Sequence, residues 1–332
     1  MKPLRIVSFG LGPIGIRAAA LIAQKSSLEL VGAIDIDPAL AGKDLGAVVD
    51  AAGAAGVRID SDARRVLEET KPDCVVHCTS SFIPNVREQL EVIIDCGANI
   101  ITSTEEMLWP TLQQPEMTAE LDARAKARGV SVLGTGVNPG FVMDTLPAFA
   151  SSVCYDVRHV TCRRYVDATT RRLPFQKKIG AGMDEGEFRS LAQAGKLGHI
   201  GLRESIALLG AALGFDLDTI EQDVRPILAT ATKKTEYLEV PAGRVAGIHN
   251  TGFGAKNGKK LVEMDLRMYV GCEDPHDAFV FDSTPPFELR IPGGTSGDFA
   301  TAAILVNGIQ SVVAAAPGVR TMLDVAPPHL LR

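Results

Sequence analysis

Residues 4–15 read Leu-Arg-Ile-Val-Ser-Phe-Gly-Leu-Gly-Pro-Ile-Gly, and this stretch decides the fold. Its first half is rich in residues that favour β-strands, and the residues after it, Ile16–Lys25, have the Ala/Leu/Ile spacing of a helix. Three glycines stand between them in the pattern Gly-x-Gly-x-x-Gly. The pattern alone is weak, but a strand before it and a helix after it make it specific. The stretch predicts the first strand, turn and helix of a parallel α/β sheet.

The glycines of this turn have separate tasks. The absence of a side chain permits the tight turn at Gly10, lets the backbone approach a pyrophosphate at Gly12, and allows close packing of helix on strand at Gly15. Pro13 and Ile14 lie within this turn, and the N-terminal N–H groups of the helix that follows point at the phosphates. These residues are therefore the predicted pyrophosphate-binding loop of a dinucleotide site. A glycine-rich turn without a ligand is the alternative.

An acidic residue closes the second predicted strand, Leu28–Ile34. Asp35 stands twenty residues past Gly15. A carboxylate at this point accepts hydrogen bonds from the adenosine ribose hydroxyls and repels a 2′-phosphate. NAD(H) is therefore the predicted cofactor, with NADP(H) left open.

Three hydroxyl side chains, those of Thr79, Ser80 and Ser81, end the fourth predicted strand, which begins at Asp73. Ligands of doubly wound sheets bind outside the carboxyl ends of the strands. We expect these hydroxyls to line the nicotinamide side of the cofactor path, and a polar loop without a ligand is the alternative.

The chain as a whole divides into two patterns. Through residue 140, short apolar runs alternate with amphipathic stretches, which predicts a doubly wound parallel sheet of the Rossmann type. Beyond it, alternation of period two dominates residues 233–271 and 278–291, which indicates a mainly antiparallel sheet. We predict an α/β protein with a Rossmann domain over residues 1–140 and an α+β substrate and dimerisation domain over 141–332. Its last helix, 297–316, is expected to pack back on the Rossmann domain.

Composition narrows the classes of partner. A net charge of −6 argues against nucleic acid or an anionic membrane surface as the main partner. No apolar run approaches the roughly 20 residues of a membrane span, and the N-terminus shows no signal-peptide pattern. The six cysteines form no C-x-x-C pair and no cluster with histidine, so no metal site is expected. We expect a cytoplasmic protein.

Two adjacent carboxylates, Glu105 and Glu106, follow the fifth predicted strand, Asn99–Ser103. Together with the end of the sixth strand, Gly134–Phe141, they should face the crevice that holds the nicotinamide. Closeness and partial burial would raise the pKa of one carboxyl group toward neutral, as general acid–base catalysis requires. The alternative is acidic charge placed to suit a helix N-terminus.

Other hydride-transfer machineries leave no trace in the sequence. None of the four tyrosines is followed four residues later by lysine, so the Tyr-Lys pair of short-chain dehydrogenases is absent. No cysteine lies in a convincing nucleophile loop. A carboxylate base is what remains.

At this point the chain resembles the 2,4-diaminopentanoate dehydrogenases and the related native amine dehydrogenases, which share the fold of dihydrodipicolinate reductase and homoserine dehydrogenase. The resemblance covers essentially the whole chain and rests on residues 10–15, 102–106, 134–141 and 293–298. The signature of dihydrodipicolinate reductase is not found. The lysine that homoserine dehydrogenases carry after the fifth strand aligns with Glu105.

The resemblance implies NAD(P)H-dependent reductive amination of a small ketone or aldehyde with ammonia, and the reverse oxidative deamination. Its catalytic glutamate corresponds to Glu105, with Glu106 as runner-up. From the resemblance and from position, we expect a substrate pocket between the domains, lined by Asn138, Phe141, Met143, Tyr165, His199 and Thr301. Phe141 and Tyr165 as core aromatics, His199 as the cap of a predicted helical stretch, and Thr301 as a plain helix residue are the alternatives.

Three rival functions remain: a 2,4-diaminopentanoate dehydrogenase acting on an amino acid, a carbonyl or semialdehyde reductase, and a non-catalytic NAD-binding regulator. A carboxylated substrate would want a cation in the pocket. Alternation sends Arg163 and Arg164 to opposite faces of their strand, so at most one could point in, and we favour a substrate without a strict carboxylate requirement. The largely apolar surface expected of a two-sheet domain favours a homodimer.

Overall fold

The computed structural model describes residues 2–332, which form two compact units. The first unit runs to Phe141 and continues over Ser296–Arg332, and the second unit is Val142–Thr295. The strands are β1 (Leu4–Phe9), β2 (Leu28–Ile34), β3 (Ile59–Asp60), β4 (Cys74–His77), β5 (Asn99–Thr102), β6 (Ser131–Gly134), β7 (Asp156–Asp167), β8 (Thr219–Leu228), β9 (Lys233–Lys234), β10 (Glu239–Val240), β11 (Val245–Lys256), β12 (Lys259–Tyr269), β13 (His276–Thr284), β14 (Phe287–Pro292) and β15 (Gly318–Arg320). The α-helices are α1 (Pro13–Ile22), α2 (Leu45–Val49), α3 (Ala63–Thr70), α4 (Ile83–Asp95), α5 (Pro115–Arg128), α6 (Thr145–Ala150), α7 (Leu173–Lys178), α8 (Glu185–Gln193), α9 (Leu202–Ala212), α10 (Gly297–Asn307) and α11 (Ile309–Val313).

The sheet of the first unit has seven strands in the order β15-β6-β5-β4-β1-β2-β3, and every neighbouring pair is parallel. The direction of the strand order reverses between β1 and β4. In such sheets the crevice at the carboxyl ends of these two strands is the ligand-binding position. The predicted Rossmann-type parallel sheet is confirmed.

Helices cover both faces of this sheet because its strands are apolar on both sides. Val75, Ile100 and Val132 join one buried cluster with residues of α3, α4 and α5. The neighbouring residue of β5, Ile101, points the other way, and its Cδ1 would lie 2.7 Å from a methyl group on Gly308. On that side α1 packs against α10.

The predicted helix over 297–316 is wrong in its length. It is divided into α10 and α11 at Gly308, where the backbone comes so close to Ile101 that a side chain would not fit. The chain then adds β15 beside β6, a strand that the sequence analysis missed because it has only three residues.

The second unit contains a six-stranded sheet in the order β14-β13-β7-β12-β11-β8. All neighbours are antiparallel except β7 and β12, which confirms the predicted mainly antiparallel sheet. Helix α9 packs on one face, where a methyl group on Gly252 would meet Ile206. His199 lies in the loop between α8, which ends at Gln193, and α9, which begins at Leu202, so it is not at the start of a helix. Across residues 2–332, no helix has the length and apolar character that crossing a bilayer requires.

Candidate active site

In the glycine turn between β1 and α1, a side chain would clash at Gly10 and Gly15 but would find free space at Gly12. Gly10 adopts φ +87°, and a methyl group on it would lie 2.4 Å from the carbonyl oxygen of Cys78. A methyl group on Gly15 would lie 1.8 Å from the carbonyl oxygen of Gly10. Gly12 has an ordinary φ of −67° and open space where its Cβ would be. Because α1 begins at Pro13 without a side-chain cap, its first N–H groups and the bare backbone at Gly12 fit a diphosphate.

Gly12→Ala should separate cofactor binding from folding. We expect NADH affinity to fall about tenfold or more, because the methyl group occupies the space that the diphosphate needs, while the thermal midpoint stays unchanged. Fluorescence titration with NADH and thermal unfolding measure the two effects. Gly15→Ala is the matched control: its methyl group meets backbone, so it should lower the thermal midpoint. A Gly12→Ala protein with wild-type NADH affinity would contradict the assignment.

The Asp35 carboxylate lies against the glycine turn. Its Oδ2 accepts the N–H of Leu11 at 2.5 Å, and its Oδ1 accepts the N–H of Asp37 at 2.8 Å. Each oxygen keeps a lone pair that could accept a ribose hydroxyl. The structure therefore holds Asp35 beside the turn in a fixed orientation, and its role toward the cofactor stays a prediction.

Behind Thr79 lies a buried polar network that the sequence analysis missed. The Nδ1 atom of His77 is 2.9 Å from Thr102 Oγ1, and its Nε2 atom is 2.8 Å from Gln89 Oε1. The hydroxyl of Thr79 donates to the same Gln89 oxygen at 2.8 Å. Burial lowers the pKa of His77 to about 4, so the ring is neutral. A histidine inside an apolar strand was the only sequence signal of this network, which ties the end of β4 to β5 and α4.

The His77 ring should make the protein sensitive to acid. Its pKa lies at about 4 in the folded state and at 6.5 in the unfolded state, so below pH 6.5 only the unfolded chain takes up this proton. We expect this linkage to remove about 3 kcal/mol of stability as the pH falls from 6.5 to 4. Urea unfolding across this range measures it. His77→Asn should show a shallower dependence on pH; an unchanged dependence would contradict the assignment.

The two glutamates after β5 have different environments. Both lie in a 3₁₀ turn that ends at Leu108. Glu106 is 8% exposed, and its Oε2 accepts the N–H of Ile83, the first residue of α4, at 2.7 Å. Burial raises the pKa of Glu106, and the charge of Glu105 raises it further. Glu105 is half-buried, and its charge also acts on Cys78 at the end of β4. Glu106 therefore caps a helix, and the raised pKa expected of one carboxyl group is found at this residue. The assignment of the catalytic role to Glu105 stays a prediction that rests on the resemblance and on its position after β5.

Backbone hydrogen bonds hold this turn at the carboxyl edge of the sheet. The N–H of Glu106 donates to the carbonyl of Ser81 at 3.2 Å. The N–H of Thr135, after β6, donates to the carbonyl of Thr102 at 2.9 Å. Nearby, the Ser80 hydroxyl accepts a hydrogen bond from Asn85 at 3.3 Å. The ends of β4, β5 and β6 thus meet at one edge, as the parallel arrangement predicts.

The loop after β6 contains polar side chains without partners. Neither Oδ1 nor Nδ2 of Asn138 makes a hydrogen bond, and neither does Oγ1 of Thr135, although all three atoms are shielded from solvent. Thr301 on α10 contacts this loop, since its Oγ1 accepts the N–H of Val137 at 3.4 Å. Thr301 therefore lies against the loop that carries Asn138. Phe141, at the end of the loop, is half-buried.

The second unit separates two residues that the sequence analysis placed in one pocket. Tyr165 lies on the sheet face away from α9, where its hydroxyl donates to Asp265 at 2.8 Å. His199 lies on the α9 face, where its N–H donates to Asn250 Oδ1 at 2.9 Å. Tyr165 and His199 therefore lie on opposite faces of this sheet, and their roles in a substrate pocket stay predictions.

Met143 and His199 of the second unit differ in burial. Met143 has no exposed surface. His199 is half-buried, but its Nε2 atom is shielded from solvent and has no hydrogen-bond partner. Burial lowers the pKa of His199 to about 3, and the charges of Lys178 and Arg164 lower it further, so the ring is neutral. His199 can therefore offer a neutral donor or acceptor.

The buried member of the arginine pair on β7 is Arg164. It is 3% exposed, and its Nη1 donates to both carboxylate oxygens of Asp277 on β13 at 2.9 Å. Its Nη2 donates to the carbonyl of Thr295 at 2.7 Å, and Asp277 accepts the N–H of the same residue at 2.6 Å. Arg163 is exposed on the opposite face. The inward cation is thus committed to the protein's own carboxylate and backbone.

The thiol of Cys78, on which the charge of Glu105 acts, is not activated. Burial raises the pKa of Cys78 to about 12, so this side chain stays a protonated thiol. Among residues 2–332, no group of three or more His, Cys, Asp or Glu side chains is placed to hold a metal ion.

Comparison with known proteins gives consistent matches along the chain. Residues 141–332 match the family model of the 2,4-diaminopentanoate dehydrogenase C-terminal domain, and residues 4–130 match that of the dihydrodipicolinate reductase N-terminus. A 2,4-diaminopentanoate dehydrogenase of Acetoanaerobium sticklandii is 31% identical over 100% of this chain and 96% of its own. An amine dehydrogenase of Streptomyces virginiae is 24% identical over 96% of this chain and 95% of its own. The solved structure of an amine dehydrogenase from Mycobacterium smegmatis superposes with a TM-score of 0.85 at 27% identity, covering 98% of this chain and 97% of that one.

Proposed function

The chain belongs to the 2,4-diaminopentanoate dehydrogenase family, and from this premise we propose that it reductively aminates a small ketone or aldehyde with ammonia and catalyses the reverse deamination. It is an oxidoreductase acting on CH–NH₂ groups, with NAD(H) as cofactor. One observation supports the proposed reaction. The half-buried carboxylate of Glu105 lies at the carboxyl edge of the parallel sheet, and the dinucleotide-binding turn lies at the same edge.

The glycine turn and its neighbours fit the cofactor. Gly12 and the first turn of α1 would hold the diphosphate, and the Asp35 carboxylate would accept hydrogen bonds from the ribose hydroxyls. When bound, the reduced nicotinamide supplies the hydride. Because a 2′-phosphate would meet the Asp35 carboxylate, we propose that NAD(H) is preferred over NADP(H).

Glu105 would act first as the general base and then as the general acid of the reaction. Its carboxylate takes a proton from ammonium, so that neutral ammonia can attack the carbonyl carbon. The same carboxyl group then gives the proton to the hydroxyl of the carbinolamine, which leaves as water. The iminium that results carries positive charge beside the restored carboxylate, which stabilises it. Ammonium, carbonyl compound and NADH are consumed, and amine, water and NAD⁺ are formed.

The substrate is proposed to need no carboxylate. The buried guanidinium of Arg164 is already paired with the Asp277 carboxylate and the carbonyl of Thr295. Its charge is therefore not available to pair with an acidic ligand. A free carboxylate would have to find another cation to offset its desolvation. His199, neutral and with an unpartnered ring nitrogen, would suit an uncharged polar group.

A carbonyl panel tests the proposed function. Purified protein is mixed with NADH or NADPH and one carbonyl compound at a time, with and without high ammonium at alkaline pH. We expect NADH oxidation only when both a small ketone or aldehyde and ammonium are present. The reverse assay, with amines and 2,4-diaminopentanoate against NAD⁺, compares substrates with and without a carboxylate.

Each rival function gives a different result in this panel. Oxidation that is equally fast without ammonium would identify a carbonyl or semialdehyde reductase. Turnover restricted to 2,4-diaminopentanoate would identify an amino-acid dehydrogenase. NADH binding without turnover of any pair would identify a regulator, and each of these results would overturn the proposal.

A homodimer is proposed as the working form, with a second copy covering the face of the six-stranded sheet opposite α9. This face carries the half-buried residues Tyr165, His249, Asp265 and Arg267, whose polar groups hydrogen-bond to one another within the sheet. Their paired charges would let two such faces meet without leaving an unpaired ion. Light scattering at micromolar concentration should give twice the mass of the chain, and the mass of a single chain would contradict the dimer.

A further inference from the structure

The amide of Asn138 is the most conspicuous unpaired group in the first unit. Its Oδ1 and Nδ2 atoms each expose less than 1 Å² and have no hydrogen-bond partner. An unpaired buried polar group lowers the stability of the folded protein. Because native proteins pair nearly all such groups, a shielded amide whose two ends both lack a partner within the protein points to a ligand.

The loop that carries Asn138 is preformed. A methyl group on Gly140, which adopts φ +128°, would lie 2.3 Å from the backbone nitrogen of Gly136. The N–H of Val137 is held by Thr301 of α10. The backbone on both sides of Asn138 is therefore held by contacts within the first unit.

The position of this loop indicates which half of the dinucleotide would lie beside it. Its β6 end packs directly on the turn that contains Glu105, since a methyl group on Gly134 would lie 2.4 Å from the carbonyl carbon of Met107. Asp35 follows β2, on the other side of the point where the strand order reverses. A dinucleotide whose adenosine lies near β2 extends toward β4, β5 and β6 with its nicotinamide.

The unpaired atoms indicate which chemical group of a ligand would bind here. Ammonia or a carbonyl oxygen can serve one end of an amide well, but a second carboxamide serves both ends at once, with its N–H on Oδ1 and its oxygen on Nδ2. The nicotinamide ring carries one carboxamide. We propose that Asn138 binds this carboxamide and that the neighbouring Thr135 hydroxyl assists it, so that Asn138 belongs to the cofactor site rather than to the substrate pocket. This inference rests on the dinucleotide site of the proposed function but not on amination.

Calorimetric affinities for three ligands test the pairing. They are NADH, the reduced 3-acetylpyridine analogue, in which a methyl ketone replaces the carboxamide, and ADP-ribose, which lacks the ring. The wild-type protein should bind NADH about tenfold more tightly than the analogue, because the analogue cannot donate to Oδ1. Asn138→Ala should abolish this preference and leave ADP-ribose affinity unchanged. Asn138→Asp, which cannot donate to the carboxamide oxygen, should also weaken NADH while sparing ADP-ribose.

Two outcomes would overturn the proposal. An NADH preference that persists in Asn138→Ala would show that this amide does not contact the carboxamide. An equal loss of affinity for all three ligands would show a structural role only. Neither result depends on turnover, so failure here is distinct from failure of the amination assay.

Discussion

Glu105→Gln is expected to lower ammonia-dependent NADH oxidation by about a hundredfold to ten-thousandfold, the usual contribution of a general acid–base group. Glutamine keeps the shape and hydrogen-bonding capacity of the side chain, but it can neither take a proton from ammonium nor return one to the leaving hydroxyl. Steady-state turnover with a saturating carbonyl compound and ammonium measures the effect. NADH affinity, measured by fluorescence titration, should stay within about twofold because the dinucleotide turn is untouched.

Glu106→Gln is the matched control next to it in the chain. Glu106 caps α4 through the N–H of Ile83, and a glutamine oxygen can still accept that hydrogen bond. We therefore expect a loss of stability of about 1 kcal/mol and turnover within a few-fold of wild type. If the losses of turnover were reversed between the two variants, Glu106 would be the base and the geometric argument for Glu105 would be wrong.

Asp277→Ala is expected to destabilise the second unit by about 3–5 kcal/mol, the largest stability effect of any substitution considered. The change leaves the buried guanidinium of Arg164 without its counter-ion and removes the acceptor of the Thr295 N–H. Urea unfolding followed by circular dichroism measures the shift of the midpoint.

The exposed ion pair between Arg158 and Asp282 provides the comparison, because it joins the same two strands, β7 and β13. Its side chains are about half exposed, at 45% and 59%. Asp282→Ala should therefore lower stability by less than about 1 kcal/mol. Equal losses in the two variants would show that burial does not control the strength of the Arg164 pair.

The dinucleotide half of the site could be predicted from the sequence because its signals are local. A strand, three spaced glycines and a helix follow one another within residues 4–25, and the acid at position 35 ends the next strand. The carboxyl ends of parallel strands meet at one edge, which is why residues as far apart as Glu105 and Asn138 could be expected at one crevice.

The remaining features depend on partners distant in the chain. Alternation shows that Arg163 and Arg164 face opposite ways, but only the fold reveals that Arg164 meets Asp277, 113 residues later. The choice between Glu105 and Glu106 depends on where α4 begins, and the break at Gly308 depends on the approach of Ile101. No pattern within a few residues encodes these contacts.

The nitrogen in the product tests the central claim most directly. Wild-type protein is incubated with NADH, an active ketone and isotopically labelled ammonium, and the products are analysed by mass spectrometry. The account predicts one labelled amine for each NADH oxidised, with both yields falling together in Glu105→Gln. An alcohol as the product, or NADH oxidation without incorporation of the label, would contradict it.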